Sequence, residues 1–205
     1  MEVYFVRHGE TDGNLAKRHQ VEISKLTSKG KQQAKDVSIV LKNLSPTHLV
    51  TSTHIRAIET AQIISDEIDL VPETSQLFTE LHRPKNIYGH YHYGLKSFYF
   101  IVRWYLGLTG GDVNSDDGES YASLRTRISA AKFHLENLPE DSRVIVVSHA
   151  LFISLFMAHV CQEKPLSLIQ AIKYWTRLTS LKNTTVKHLS VVKVEDGCGW
   201  NFIEN

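Results

Sequence analysis

Arg7-His8, Arg56 and Ser148-His149 are far apart in the chain, yet each stands where one kind of segment gives way to another. A short apolar run, Val3 to Val6, stops at Arg7, and RVIVVS (143–148) stops at His149. Arg56 falls in the first turn of an amphipathic stretch that follows HLVTS (48–52). Two arginines and two histidines brought together suit phosphoryl transfer. A guanidinium forms forked, charge-assisted bonds to phosphate oxygens, each contributing about 1.5–3 kcal/mol. A neutral imidazole can attack phosphorus and hold the phosphoryl group covalently. A second imidazole, if protonated, can steady the charge on the transferring group. Neighbouring arginines favour the neutral form of the attacking ring. The helix that begins at Ala150 would add free backbone N–H groups facing an anion. Residue types alone do not choose between His8 and His149 as the nucleophile.

For these residues to meet, the elements that carry them must share one edge. Val3–Val6 reads as a buried strand. Residues 27–44 read as a helix capped by Thr27, 48–52 as a second strand and 53–68 as an amphipathic helix. A third short strand is expected around Gln76 to Thr79. Regularity is lost between about 81 and 119, a stretch rich in aromatics and glycine, with a short helix expected from Leu95 to Leu106. Helix 120–138 with Ser120 as cap, strand 143–149, helix 150–161, a helical 166–178 and strands at 185–195 and about 200–203 complete the chain. Asp196-Gly197 suggests the turn of a C-terminal hairpin that could add an antiparallel edge. Strands alternating with helices imply an α/β three-layer sandwich with a mostly parallel central sheet, helices on both faces and an inserted cap at about 81–119. In such a sheet, strand-to-helix transitions line the carboxyl edge, where ligands bind. One domain spanning 1–205 is expected.

The bulk numbers exclude more than they suggest. A net charge of +1 gives no electrostatic reason to expect nucleic acid or an anionic membrane as partner. The two cysteines, Cys161 and Cys198, offer no disulfide framework and no metal-ligand spacing, so a reducing, cytoplasmic setting is expected. The opening MEVYFVRHGE has neither a basic n-region nor a long apolar h-region. His90 and His92 alternate on an extended segment and could chelate, but no third ligand has a clear spacing, so rim or packing roles are expected. His19, His48, His134, His159 and His188 are read as structural. The aromatics Phe98, Tyr99, Phe100, Trp104 and Tyr105 are read as a small core within the cap.

With the motifs in order, the chain resembles the histidine phosphatase, or phosphoglycerate mutase-like, superfamily. Arg7-His8-Gly9-Glu10-Thr11 with Asn14 is similar to its signature, and Ser52-x-x-x-Arg56-Ala57-x-x-Thr60-Ala61 to its second motif. Gly118-Glu119-Ser120 resembles a further motif, and Val147-Ser148-His149 the last. The resemblance implies that His8 is the nucleophile that becomes phosphohistidine. It implies that Arg7, Arg56 and His149 complete the phosphate pocket, with Asn14 and Ala150 as further contacts. Glu80, in TELHRP, matches the acid that protonates the leaving oxygen and then activates water. Glu119 is the other candidate for that role. No metal and no cofactor are implied.

The expected activity is therefore metal-independent hydrolysis of a phosphomonoester. The segment after Glu80 is Leu-His-Arg-Pro rather than the fuller basic and tyrosine-containing pattern associated with phosphoglycerate mutases, which ranks a mutase second. A catalytically silent phosphate- or phosphopeptide-binding module is the third reading, although such a module would be expected to lose one of Arg7, His8, Arg56 and His149. The substrate is expected to be a small phosphorylated molecule. Its identity stays open among sugar phosphates, nucleotides, phosphoamino acids and phosphoproteins, as does the oligomeric state.

Overall fold

The computed structural model of the chain describes residues 1–110, 117–162, 164–170, 173, 182–192 and 197–203. Strand β1 (Glu2–Arg7) is followed by a one-turn helix α1 (Asp12–Leu15) and by α2 (Ser28–Lys42). Then come β2 (His48–Thr51), α3 (Ile55–Ile68), β3 (Glu73–Thr74), α4 (Leu95–Tyr105) and α5 (Tyr121–Glu136). The chain continues through β4 (Arg143–Ser148), α6 (Ala150–His159), β5 (Val186–Val191) and β6 (Trp200–Ile203). The sheet runs β3-β2-β4-β1-β5-β6. Its β3-β2, β2-β4 and β4-β1 pairs are parallel, whereas β5 and β6 add the antiparallel edge.

The apolar runs dictate this arrangement. In β1, Val3 and Phe5 face one core while Tyr4 and Val6 face the other. In β4, Val144 and Val146 alternate in the same way with Ile145 and Val147. Strands buried on both faces need a helix layer on each side. Helices α2 and α3 supply one with Val37, Leu41, Ala57, Ala61 and Ile64. Helices α4, α5 and α6 supply the other, through residues such as Trp104, Leu124, Ile128, Phe152 and Phe156. Thr27 and Ser120 cap α2 and α5 by accepting from Gly30 and Ser123 N–H groups, as their side-chain type favours.

Several expectations need correcting. The third strand is Glu73–Thr74, and Gln76–Phe78 forms a 3-10 turn whose first N–H groups are met by Ser75 Oγ and backbone. The aromatics of 98–105 do not form a core of their own. Phe100, Ile101 and Trp104 pack into the main cluster, Trp104 against Tyr121, while Phe98 and Tyr99 face solvent. Cys161 and Cys198 form a disulfide. Thirty-seven residues separate them in sequence, but the end of α6 and the approach to β6 bring their Cα atoms to 5.3 Å. The pairing removes the ground on which the cysteine count pointed to a reducing compartment. The helix expected at 166–178 falls largely outside the described residues, as do residues 193–195 of the strand expected at 185–195 and Asp196 of the turn after it. Among the described residues, no helix is long and apolar enough to cross a membrane.

Candidate active site

The carboxyl ends of β1 and β4 lie side by side, with Arg7 in register with Ser148 and His8 N–H donating to Ser148 O at 3.0 Å. That pairing places His8 next to His149, with ring centroids 5.1 Å apart. The loop after His8 is held by the second motif: Gly9 N–H donates to Thr60 Oγ1 at 3.1 Å, and that hydroxyl donates to Arg56 O at 2.7 Å. Only glycine fits here, because a Cβ on Gly9 would stand 2.4 Å from Gly30 O in the first turn of α2. Ser52, at the end of β2, lies with its Oγ 2.7 Å from His149 Nε2.

His8 Nδ1 lies 2.7 Å from Gly9 O, so that nitrogen carries the proton and donates. Nε2 therefore keeps its lone pair, and Arg56 Nε donates to it at 3.2 Å. Burial first, then the Arg56 and Arg7 guanidinium groups, push the His8 imidazole well below its usual range. His149 is pushed well down as well, by burial first and then by Arg56. Its Nδ1 is buried without a hydrogen-bond partner among the described residues. Arg7 and Arg56 are lowered to about 10 by desolvation, which Glu80 opposes, so both stay charged at neutral pH. The second histidine is thus neutral in the free protein, not the cation that stabilisation of a transferring group would use.

Glu80 lies at the start of α6. Its Oε1 accepts from Leu81 N–H at 2.9 Å and Phe152 N–H at 3.2 Å, and Oε2 from Leu151 N–H at 3.4 Å. It lines a cavity of about 110 Å³ together with Glu22, Thr53, His54, Thr79 and His82. Glu119, the other candidate acid, is fully buried and bound through both oxygens to Arg127 at 2.8 and 2.7 Å. Its oxygens therefore meet Arg127, not a cavity. Asn14 directs its Oδ1 to Thr11, closing a capping box on α1, and is only half-buried. No bond among the described residues ties it to the arginines or histidines. Ala150 is buried as the first residue of α6, directly after His149.

His54 escaped the sequence reading. Its ring stands 4.8 Å from His149, its Nδ1 lies 3.0 Å from Arg56 Nη2, and burial lowers its pKa to about 3. Beside Arg7 and Arg56, Arg83 is a further buried guanidinium whose charge reaches Arg56, His54, His19 and His92. The signal for His54 was its position, two residues before Arg56 in the same helix start. Arg83 had only its nearness to Glu80. His90 and His92 do not converge: His90 meets Lys96, and His92 stacks edge-on to His19 at 4.6 Å.

A buried pair of neutral imidazoles between two guanidinium groups, beside an anchored carboxylate, matches the chemistry of phosphate ester transfer. Known proteins agree with the fold. Two relatives from Enterobacter sp. (strain 638) and Escherichia coli O1:K1 / APEC bear the name "Probable phosphoglycerate mutase GpmB". They are 33% and 31% identical over 168 and 177 residues, covering 78% of this chain and 74% of theirs. Among solved structures, a mycobacterial glucosyl-3-phosphoglycerate phosphatase superposes with a TM-score of 0.74 at 21% identity, over 98% of this chain and 96% of its own. Bacillus stearothermophilus YhfR gives 0.74 at 24%, over 98% and 94%. At those identities the structures speak for the fold alone. The profile of the histidine phosphatase superfamily (branch 1) matches residues 3–195, and the chain belongs to that superfamily.

Proposed function

We propose that the chain hydrolyses a small phosphomonoester through a phosphohistidine on His8, without a metal ion. The observation that carries this reading is the fixed tautomer. Gly9 O accepts the hydrogen bond from Nδ1–H, which leaves Nε2 with its lone pair beside Arg56. In the first step Nε2 attacks phosphorus, the ester P–O bond breaks, and the leaving oxygen takes the carboxyl proton of Glu80. In the second step water attacks the phosphoryl group, its proton passes to the Glu80 carboxylate, the P–N bond breaks, and inorganic phosphate leaves. Arg7 and Arg56 bind the phosphoryl oxygens. His149 offers them its unpartnered nitrogen, and Ala150 its backbone N–H at the head of α6. His54 lines the cavity beside Glu80, and the resemblance to the superfamily supports Asn14 as a further contact.

The small size of the cavity beside Glu80 and its polar wall of Thr53, His54, Thr79 and His82 support a small hydroxyl-bearing leaving group. A second reading rests on the relatives named as phosphoglycerate mutases. It keeps the first step and returns the phosphoryl group to a hydroxyl of a sugar acid instead of to water. Phosphate release from p-nitrophenyl phosphate and 3-phosphoglycerate, with a chelator present, tests the proposal against it. Chelator-resistant release is the expected result. Conversion of 3-phosphoglycerate into its isomer with no phosphate released would replace hydrolysis by the mutase reading.

A further inference from the structure

The buried pair Glu119–Arg127 does more than neutralise itself. Arg127 donates from Nε and Nη2 to the two Glu119 oxygens. Its Nη1 donates to Leu77 O at 3.1 Å and to Thr79 O at 2.8 Å. The carbonyl between them, Phe78 O, accepts from Ser148 Oγ at 2.6 Å. Three successive carbonyls leading into Glu80 are therefore held by side chains. On the far side of Glu80, Glu119 N–H donates to His82 O at 2.9 Å. The guanidinium also lies 5.1 Å from the centroid of the Phe152 ring, and it is the Phe152 N–H that donates to Glu80 Oε1. The segment 77–82 that carries the carboxylate has only a 3-10 turn of its own. Its position comes from this clamp.

We propose that Arg127, oriented by Glu119, is a positioning residue for Glu80, which it holds in register with the leaving oxygen. The inference rests on the reading of Glu80 as proton donor. Misplacing a general acid by about an ångström weakens proton transfer on the order of 10²-fold while leaving nucleophilic attack in place. The loss therefore grows with the basicity of the leaving oxygen. Nitrophenolate departs with little help, whereas the alkoxide of 3-phosphoglycerate needs the proton. A purely structural role would depress both esters alike.

The test is single-turnover release of the alcohol, with enzyme in excess, from p-nitrophenyl phosphate and from 3-phosphoglycerate. Following the alcohol rather than phosphate makes the readout independent of whether water or a second hydroxyl takes the phosphoryl group. Wild type is compared with Glu80→Gln, Arg127→Lys and Glu119→Gln, conservative variants chosen because Arg127→Met could fail to fold. The expected result is that all three variants lose at least about tenfold more on 3-phosphoglycerate than on the aryl ester, with Glu80→Gln losing most. Equal losses on both esters in Arg127→Lys and Glu119→Gln, with Glu80→Gln still discriminating, would overturn the positioning role and leave Glu80 as the acid. Absence of discrimination in Glu80→Gln would overturn both.

Discussion

Two buried polar constellations lie near one another, and they are built on opposite terms. Around His8, three buried guanidinium groups (Arg7, Arg56 and Arg83) and three neutral imidazoles stand close to one buried carboxylate, Glu80, with the exposed Glu22 at the cavity wall, and among the described residues Nδ1 of His149 has no hydrogen-bond partner. Around Glu119, one carboxylate meets one guanidinium, and the remaining donors of Arg127 go to backbone carbonyls. A buried ion pair with its hydrogen bonds satisfied holds structure, and breaking it from one side leaves an uncompensated charge. A buried excess of positive charge holds nothing by itself; it favours binding of an anion. Burial is common to both, so what separates a site from a clamp is the balance of charge and hydrogen bonds.

The contrast can be broken by substitution. His8→Ala is expected to remove phosphate release by about 10³-fold or more while leaving thermal stability near wild type. Retained release in that variant would end the phosphohistidine reading. Arg127→Met reverses the pattern. Leaving Glu119 buried without its partner should lower the free energy of unfolding by about 3–5 kcal/mol, measured by urea denaturation. The double change Glu119→Leu with Arg127→Met should recover much of that loss, and failure to recover it would mean that the carbonyl bonds, not the pair, carry the stability. Arg56→Met should lose at least about tenfold in phosphate release, the equivalent of one charge-assisted bond, with unfolding free energy unchanged or raised because a desolvated cation is removed. A large drop in stability there would put Arg56 in the clamp's class.

The disulfide lies apart from both constellations and serves as their control. Reduction of Cys161–Cys198 should destabilise the fold by about 2–4 kcal/mol while leaving phosphate release intact at temperatures where the reduced chain is folded. Acid separates the two constellations by a gentler route. The folded pKa values of His54 (about 3) and His92 (about 4) lie below the unfolded value near 6.5, and those of His8 and His149 lie below it too. The unfolded chain therefore takes up protons first. Stability is complete above about pH 6.5 and is lost as pH falls from there toward the folded values, by up to about 1.4 kcal/mol per pH unit for each histidine. His54→Gln should flatten that slope by about one histidine's share. An unchanged slope would show that His54 titrates normally in the folded chain.

Much of this was legible in the sequence because the relevant signals are local. The apolar runs Val3–Val6 and Val144–Val147 announce buried strands, Thr27 and Ser120 announce caps, and the four motifs fall at strand ends and helix starts. The remainder depends on closures between distant residues. The spacing of Cys161 and Cys198 says nothing about the hairpin that folds back across α6. Glu119 is eight residues from Arg127, yet the value of that pair lies in carbonyls at 77 and 79. The shift of β3 from Gln76–Thr79 to Glu73–Thr74 has the same cause. Only two residues find a partner in β2, and the apolar side chains of Leu77 and Phe78 go to packing instead. His54 belongs to the site by proximity to His149, a contact that joins the ends of two strands.

The register of β1 has a consequence for how the chain comes off the ribosome. Glu2 pairs with Arg143 on one side and with Ser190 on the other, and among the described residues no strand before β4 pairs with β1. The strand that leads into His8 therefore waits, apolar and without a strand partner, until residues 143–148 and then 186–191 have been translated. Such distant pairing makes for slow folding and a long interval in which VYFV is exposed to other chains. Nascent chains halted before residue 143 should depend on chaperones and should not retain phosphate. Competence arrives late and all at once, when β4 and then β5 close on either side of β1.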